Sequence, residues 1–164
     1  MLNELIERYP ALSEIKDDIA KATEEIIACY ENGGKVLLCG NGGSCADCDH
    51  IAGELMKGFL LARHMDKETE KKFRYALGDD ANDLINSLQG GIPAISLPSQ
   101  SSVLSAFAND VDAALMYAQL VYGYAGEHDL LIAKVAEKAV QIQRQGRKRI
   151  LADGAGDGVA VLVH

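Results

Sequence analysis

The sequence has no apolar run of membrane-spanning length and no excess of basic residues. A transmembrane helix needs about 20 consecutive apolar residues, so we expect no membrane span. The N-terminus lacks the basic and then apolar plan of a secretory signal peptide. We therefore expect a protein of the cytoplasm.

Basic residues are in deficit, since 16 Lys and Arg stand against 24 Asp and Glu and the net charge is −8. This balance argues against a non-specific nucleic-acid surface, so we expect no nucleic-acid partner. Local amides and hydroxyls would have to hold a phosphorylated substrate against repulsion by the negative net charge of the protein. The chain has 164 residues, of which 48% are apolar and 24% are charged. This length and this composition are those of one globular domain with its own core.

A second Cys-x-x-Cys pair is also missing, although four cysteines stand within twenty residues: Cys29, Cys39, Cys45 and Cys48. The spacing of Cys45 and Cys48 is typical of a redox dithiol or, with a histidine, of a zinc site. Alternatively, all four are free cysteines that fill small apolar positions. We favour the second interpretation, because no further pair completes a tetrahedral site.

The most informative stretch begins with an apolar segment at 36–39, which predicts a buried strand. A glycine-rich turn, Gly40 to Ser44, follows and opens into a segment with helical periodicity. The first amides of a helix have no internal acceptor and lie at the positive end of its dipole, so this order predicts an anion site. Ser44 stands at the expected N-cap. A tight turn without any ligand would also use these glycines.

His50 and Glu54 follow on this predicted helix, four residues apart and therefore on one face. Such a pair is often only an exposed contact between turns. Directly after a phosphate-type turn, however, the two side chains favour a catalytic or metal site.

These residues also resemble a known family. The string Cys-Gly-Asn-Gly-Gly-Ser, with Asp47 and then His50-Ile-Ala-Gly-Glu54, is similar to the signature of the sugar isomerase (SIS) domain proteins, specifically the phosphoheptose isomerases. The Asn109-Asp110 pair and the segment 121–132 match further parts of the family pattern. The resemblance covers roughly residues 11 to 132.

The alternation of strands and helices predicts an α/β fold with a parallel sheet flanked by helices, and the resemblance implies a three-layer, Rossmann-like sandwich of the SIS type. We expect one SIS domain over 1–164, with further strands at 93–97 and 129–133. An amphipathic helix at 11–32 would end at Gly33-Gly34. In the resembling family this helix joins partner helices in a homotetramer, and the alternative is a helix that folds back over its own sheet. A helical insertion is expected at about 63–90.

The resemblance implies an isomerase that interconverts sedoheptulose 7-phosphate and D-glycero-D-manno-heptose 7-phosphate through an enediol. Glu54 would be the catalytic base, and His50 and Glu54 would be ligands of zinc. The implied substrate-binding residues are Asn41, Gly42, Gly43, Ser44, Asp47, Glu54, Asn109 and Asp110. The alternative is a non-catalytic SIS protein that binds a sugar phosphate or a partner protein.

The resemblance ends after Ala133. Here the family has a second, serine-rich phosphate loop, whereas this chain continues with a helix-like segment from Lys134. A later Gln and His of the family also have no counterpart with matching spacing. A basic run at 144–149, a glycine turn at 154–158 and an apolar strand at 159–163 stand there instead. The C-terminal part is therefore expected to be atypical or incomplete.

Overall fold

The computed structural model describes residues 1–134, 149–150 and 160–163. The predicted helix-like segment after Lys134, most of the basic run and the glycine turn lie outside these residues. The described part is an α/β fold built on one sheet with strand order β2-β1-β3-β5-β4. Its strands are β1 (Val36–Gly40), β2 (Ala94–Ser96), β3 (Leu130–Lys134), β4 (Arg149–Ile150) and β5 (Ala160–Val163).

Strands β1, β2 and β3 run parallel, as the sequence predicts, and β1 lies between the other two. Leu37 pairs with Ile95 on one side and with Leu131 on the other. The predicted C-terminal strand is also present as β5, but it runs antiparallel to β3 and pairs in turn with β4. The sheet is therefore parallel from β2 through β1 to β3 and antiparallel from β3 through β5 to β4.

Helices connect the strands. They are α1 (Leu2–Arg8), α2 (Lys16–Glu31), α3 (Gly43–Met56), α4 (Lys67–Leu77), α5 (Ala81–Ser87), α6 (Ser101–Phe107) and α7 (Met116–Tyr124). Short 3-10 turns lie at Pro10–Ile15, Gly78–Asp80, Leu97–Ser99 and Ala113–Leu115, and a π-helical turn lies at Ala108–Asp112. In the described part of the chain, no helix is long and apolar enough to cross a membrane.

The layers follow from the alternation of side chains along β1, which is buried at all of its positions. Leu37 and Cys39 pack on one face with Leu120 of α7. Val36 and Leu38 pack on the other face with α2 and α3. A strand covered on both sides has to be apolar throughout, which explains the uninterrupted apolar run in the sequence.

The N-terminal segment differs from the single long helix that was predicted over 11–32. Residues Pro10–Ile15 form a 3-10 turn, and the α-helix begins only at Lys16. Pro10 fits the first position of such a turn, because its missing N–H has no acceptor there in any case. The predicted end is confirmed: the N–H of Gly34 donates to Cys29 O and that of Gly33 to Tyr30 O. With Gly33 at φ +75°, this is a Schellman motif.

The predicted insertion is helical and consists of α4 and α5. Asp66 caps α4 by accepting the N–H groups of Glu68 and Thr69. The two ends of the insertion are held together by an isolated bridge between His64 and Gln89. Its apolar side chains are only partly covered, since Leu84 and Leu88 are 40% and 46% exposed.

A clasp joins the beginnings of β1 and β3. Both oxygens of the buried Asp129 carboxylate are bound, Oδ1 by the Lys35 N–H at 2.8 Å and Oδ2 by Lys35 Nζ at 2.5 Å. The Gly126 N–H also donates to Oδ2 at 2.7 Å. Burial raises the pKa of Asp129, but the hydrogen bonds from Lys35 and Gly126 outweigh it and hold the pKa below its ordinary value.

Asp129→Asn is expected to lower the free energy of unfolding at pH 7 by about 3 kcal/mol, because it leaves the Lys35 ammonium without its buried partner. A depressed pKa contributes stability above the unfolded carboxyl pKa of about 3.9, and this contribution is lost as the pH falls through the folded value. The difference between wild type and variant should therefore shrink below about pH 4. Urea denaturation at several pH values measures it.

The matched control is Asp18→Asn. Asp18 pairs with Lys21 at 3.9 Å, and both side chains are about half exposed. An exposed pair of this kind contributes at most about 1 kcal/mol, so this variant should be close to wild type. Equal stability of the two variants at pH 7 would contradict a stabilising role for the clasp.

Candidate functional site

The candidate site begins where β1 ends and α3 begins. The chain leaves β1 at Gly40 and enters α3 at Gly43, with Gly42 as the N-cap at φ +58°. This backbone conformation is accessible to glycine and strained for other residues. The prediction of Ser44 as N-cap was wrong: Ser44 already lies inside the first helical turn, and no side chain caps α3.

Two of the amides at this helix end are used within the loop itself. The Ser44 N–H donates to Asn41 O at 3.1 Å, and the Cys45 N–H donates to Gly42 O at 3.0 Å. The amides of Gly42 and Gly43 precede these two, at positions where a helix supplies no internal acceptor. They are the donors that an anion would meet at the positive end of the α3 dipole.

The loop is anchored through the carbonyl oxygen of Gly40. Tyr117 on α7 donates its hydroxyl to this oxygen at 2.6 Å, and Cys45 donates its thiol at 3.1 Å. Burial, and after it the neighbouring Cys45 and Cys39, raise the pKa of Tyr117, so its hydroxyl stays protonated and remains a donor. Sequence reasoning missed Tyr117, which has no local signal beyond its place on an apolar helix face.

A cleft of about 280 Å³ opens beside the loop. Its polar walls are Ser44, Asp47 and His50 from successive turns of α3. The apolar part of its lining consists of Leu38, Cys39, Cys48, Ile51 and Ile132. Three of the predicted site residues thus share one cavity at the end of β1, and Asp47 also interacts with another group of the protein.

Glu54 does not line this cleft but lies next to a residue that does. Its Oε1 is 3.9 Å from Nε2 of His50, with the Glu54 side chain 45% exposed and that of His50 79% exposed. The Arg63 guanidinium donates to the backbone carbonyl of Glu54 at 3.0 Å and so fastens the end of α3. The Glu54 carboxylate thus stands partly exposed beside His50, outside the lining of the cleft.

The remaining predicted residues lie elsewhere. Asn41 is exposed in the loop, where its carbonyl accepts the Ser44 N–H. Asn109 and Asp110 lie in the π-helical turn that continues α6. Asn109 Nδ2 donates to Asp110 Oδ1 at 2.8 Å. Both residues are outside the lining of the cleft.

A second contact that the sequence did not indicate ties α3 to the end of β2. The Ser99 hydroxyl donates to Asp49 Oδ1 at 2.5 Å. The hydroxyls of Ser96 and Ser99 hold the pKa of Asp49 below its ordinary value. The helix after Ser99 begins at Ser101 with Gln100 as N-cap, and no side chain caps it.

The four cysteines are free thiols. Cys29 and Cys48 belong to the core on the α2 and α3 face, and Cys39 belongs to the opposite core, as the packing interpretation predicts. Burial, and then the neighbouring Cys45, raise the pKa of Cys48 to about 11. Across the residues that the structure describes, no group of three His, Cys, Asp or Glu side chains could hold a metal ion. The Cys-Cys-His zinc interpretation therefore has no support there.

Comparison with known proteins agrees with this architecture. The model of the SIS domain matches residues 2–73. The phosphoheptose isomerase of Chlorobaculum parvum is 30% identical over 175 residues, which cover 98% of this chain and 72% of that protein. The phosphoheptose isomerase of Laribacter hongkongensis is 31% identical over 132 residues, or 80% of this chain and 54% of that protein.

A solved structure, that of phosphoheptose isomerase GmhA from Neisseria gonorrhoeae, superposes with a TM-score of 0.50 at 23% identity and shares the fold. The match covers 80% of this chain and 52% of that chain. The chain thus spans between about half and three quarters of the length of these relatives. From the fold, the loop and these similarities together, the chain belongs to the phosphoheptose isomerase family of SIS-domain proteins.

Proposed function

We propose that this chain binds a sugar phosphate at the start of α3 and takes part in the interconversion of sedoheptulose 7-phosphate and D-glycero-D-manno-heptose 7-phosphate. The observation that carries this proposal is the cleft that Ser44, Asp47 and His50 line, on the helix that begins with the amides of Gly42 and Gly43. Curated relatives named phosphoheptose isomerase support a sugar phosphate isomerase.

The substrate would be held by groups suited to a phosphorylated polyol. The Gly42 and Gly43 amides and the Ser44 hydroxyl would receive the phosphate or a sugar oxygen. Asp47 would orient the substrate, and Asn41 would contact it from the loop. Asn109 and Asp110 would bind hydroxyls, but only of a substrate that extends beyond the cleft lining, because both lie outside it.

Isomerisation moves a proton between adjacent carbons through an enediol, which requires a carboxylate base within reach of both carbons. Glu54 is the proposed base, since its carboxylate stands half exposed beside His50. The partial exposure of Glu54 supports this role, because a bound sugar can approach a carboxylate that is not buried. A general acid is not identified among the described residues.

The family resemblance implies a zinc ion at this site. His50 and Glu54 are suitable donors and lie 3.9 Å apart. Catalytic zinc sites use three protein ligands, and the described part of the chain offers no third such side chain near these two. The described residues alone do not fit a zinc site, so the proposed proton transfer involves the protein's own groups only.

A homotetramer is the proposed assembly, with the N-terminal helices at the contact. Apolar side chains of this region remain uncovered: Ile27 and Tyr30 on α2 are 49% and 51% exposed, and Ile15 just before it is 47% exposed. Such a face is suited to a second copy of the helix. Sedimentation of a single species with the monomer mass at micromolar concentration would exclude this assembly.

The function is tested by adding sedoheptulose 7-phosphate to the purified chain and following the sugar by NMR. Appearance of the aldose phosphate supports an isomerase. Binding in calorimetry without turnover would favour the non-catalytic alternative. Unphosphorylated sedoheptulose is the matched control, and it should bind at least tenfold more weakly because it lacks the group that the amides recognise. Equal binding of both sugars, or of neither, would contradict the proposal.

A further inference from the structure

Cys45 and Cys48 lie together in the first turns of α3 and have no part in the proposed reaction. Cys45 is half-buried, and its thiol donates to Gly40 O at 3.1 Å. Cys48 is 3% exposed and lines the cleft. Cys48 thus belongs to the core and also borders the cleft, whereas Cys45 is the more exposed of the two.

Their spacing suits a covalent bond between them. Residues three apart on a helix share a face, and each side chain leans toward the N-terminal end of its helix, so Cys48 leans toward Cys45. With a rise of 1.5 Å per residue and a radius of about 2.3 Å, the two Cα atoms are about 5 Å apart. A disulfide needs a Cα separation of about 4.4–6.8 Å, which this spacing meets, and a Cβ separation of about 3.5–4.5 Å. Cβ atoms three residues apart on a regular helix are about 5–6 Å apart, so the first turns of α3 have to deform when the bond forms.

We propose that Cys45 and Cys48 form a reversible dithiol–disulfide couple that exchanges with low-molecular-weight disulfides such as glutathione disulfide. Cys45 reacts first because it is the accessible thiol, and Cys48 resolves the product because it lies beside it. The couple is a modification site on α3, directly after the loop that we propose for sugar phosphate binding.

The oxidation of the two thiols by glutathione disulfide takes two exchange steps. The Cys45 sulfur attacks glutathione disulfide, so that one Cys45–glutathione bond forms and one glutathione leaves as the thiol. The Cys48 sulfur then attacks Cys45 in this mixed disulfide, which forms the Cys45–Cys48 bond and releases the second glutathione as the thiol. The two protein thiols are oxidised by two electrons, and their two protons end on the released glutathione molecules.

Oxidation has a consequence for the loop. The Cys45 sulfur turns toward Cys48 and no longer donates to Gly40 O, which keeps only the Tyr117 hydroxyl as a side-chain donor. Ser44 and Asp47, which are neighbours of the two cysteines in sequence, line the same cleft. The disulfide is therefore expected to shift the Gly42 and Gly43 amides away from the geometry of the reduced form.

The test uses the full chain, equilibrated in mixtures of reduced and oxidised glutathione, quenched with acid, denatured, alkylated and digested with trypsin. Cleavage after Lys35 and Lys57 places Cys39, Cys45 and Cys48 in one peptide, and Cys29 falls in the preceding peptide as an internal control. In oxidising mixtures, the peptide 36–57 should carry a single alkyl group, on Cys39. Its mass should be that of the reduced peptide plus one alkyl group minus two hydrogen atoms. The Cys29 peptide should stay alkylated.

Cys45→Ser and Cys48→Ala should each abolish this product, and Cys29→Ala should leave it unchanged. The proposal would be overturned if the peptide 36–57 carried three alkyl groups at every ratio of reduced to oxidised glutathione. A disulfide between Cys39 and Cys48 in place of Cys45–Cys48 would overturn it as well. Amide NMR of Gly42 and Gly43 in both redox states gives a readout that needs no substrate, and identical shifts would refute the effect on the loop. A chain that forms the disulfide but binds no sugar phosphate in its reduced form would refute the proposed function and leave the couple intact.

Discussion

Replacing Glu54 with glutamine is expected to slow isomerisation by about 10²–10⁴-fold, which is the range that a positioned acid or base contributes. Glutamine keeps the size of the side chain and its place beside His50, but it cannot take a proton from a sugar carbon. Substrate binding should change little, because the phosphate would be held at the other end of α3. The loss should therefore appear in kcat rather than in KM.

The most direct measurement is the uptake of solvent deuterium at the carbon next to the carbonyl, since this exchange reports formation of the enediol even when product release is slow. The matched control is Glu68→Gln. Glu68 also belongs to an i,i+4 pair on a helix, with Lys72 at 3.0 Å, but it lies on α4 of the insertion. Equal exchange rates in wild type and Glu54→Gln would remove Glu54 from the mechanism, whereas a loss in Glu68→Gln as well would indicate a general effect of removing a carboxylate.

The parts of the fold that the sequence predicted are those whose signal is local. The three parallel strands were found at their expected positions because each is a short apolar run bounded by glycine, proline or charge. The end of α2 was also predicted, since the glycine at positive φ in a Schellman motif is itself a sequence signal. The position of β5 was correct, but its direction could not be read from apolar character.

The start of α2 was missed for the opposite reason. Apolar residues recur with similar spacing in a 3-10 turn and in the first turn of an α-helix, so periodicity does not separate them. Helix ends are also the least certain feature of a pattern, which explains why Ser44 was taken as the N-cap in place of Gly42. In both cases the helix itself was predicted correctly and only its first residue was misplaced.

The candidate site was predicted only in its local part. The loop and the first turns of α3 are continuous in sequence, so Ser44, Asp47 and His50 could be named together. The groups that hold this element come from elsewhere: Tyr117 is 77 residues from Gly40, and Ser99 is 50 residues from Asp49. The Lys35–Asp129 clasp spans 94 residues. Contacts over such separations depend on strand order and helix packing, which no local pattern contains.

Gly34→Ala is expected to have the largest effect on stability, with a loss of about 4 kcal/mol or more in the free energy of unfolding. A Cβ at this position would lie 2.0 Å from His128 O and 2.6 Å from His128 C. Both atoms are backbone, immediately before the clasp residue Asp129, so they cannot move without displacing the start of β3 from β1. A loss of this size is comparable with the whole stability of an ordinary domain, and the variant should be largely unfolded at 37 °C.

Gly53→Ala is the matched control, because it makes the same chemical change inside α3, where a Cβ would meet no atom within 4 Å. Alanine has the higher helix propensity, so this variant should gain about 0.5–1 kcal/mol. Urea denaturation followed by circular dichroism measures both variants, and the recovered soluble fraction serves if Gly34→Ala does not refold. The two substitutions should thus change stability in opposite directions. A Gly34→Ala variant within about 1 kcal/mol of wild type would mean that the end of α2 and the start of β3 do not pack as closely as the coordinates place them.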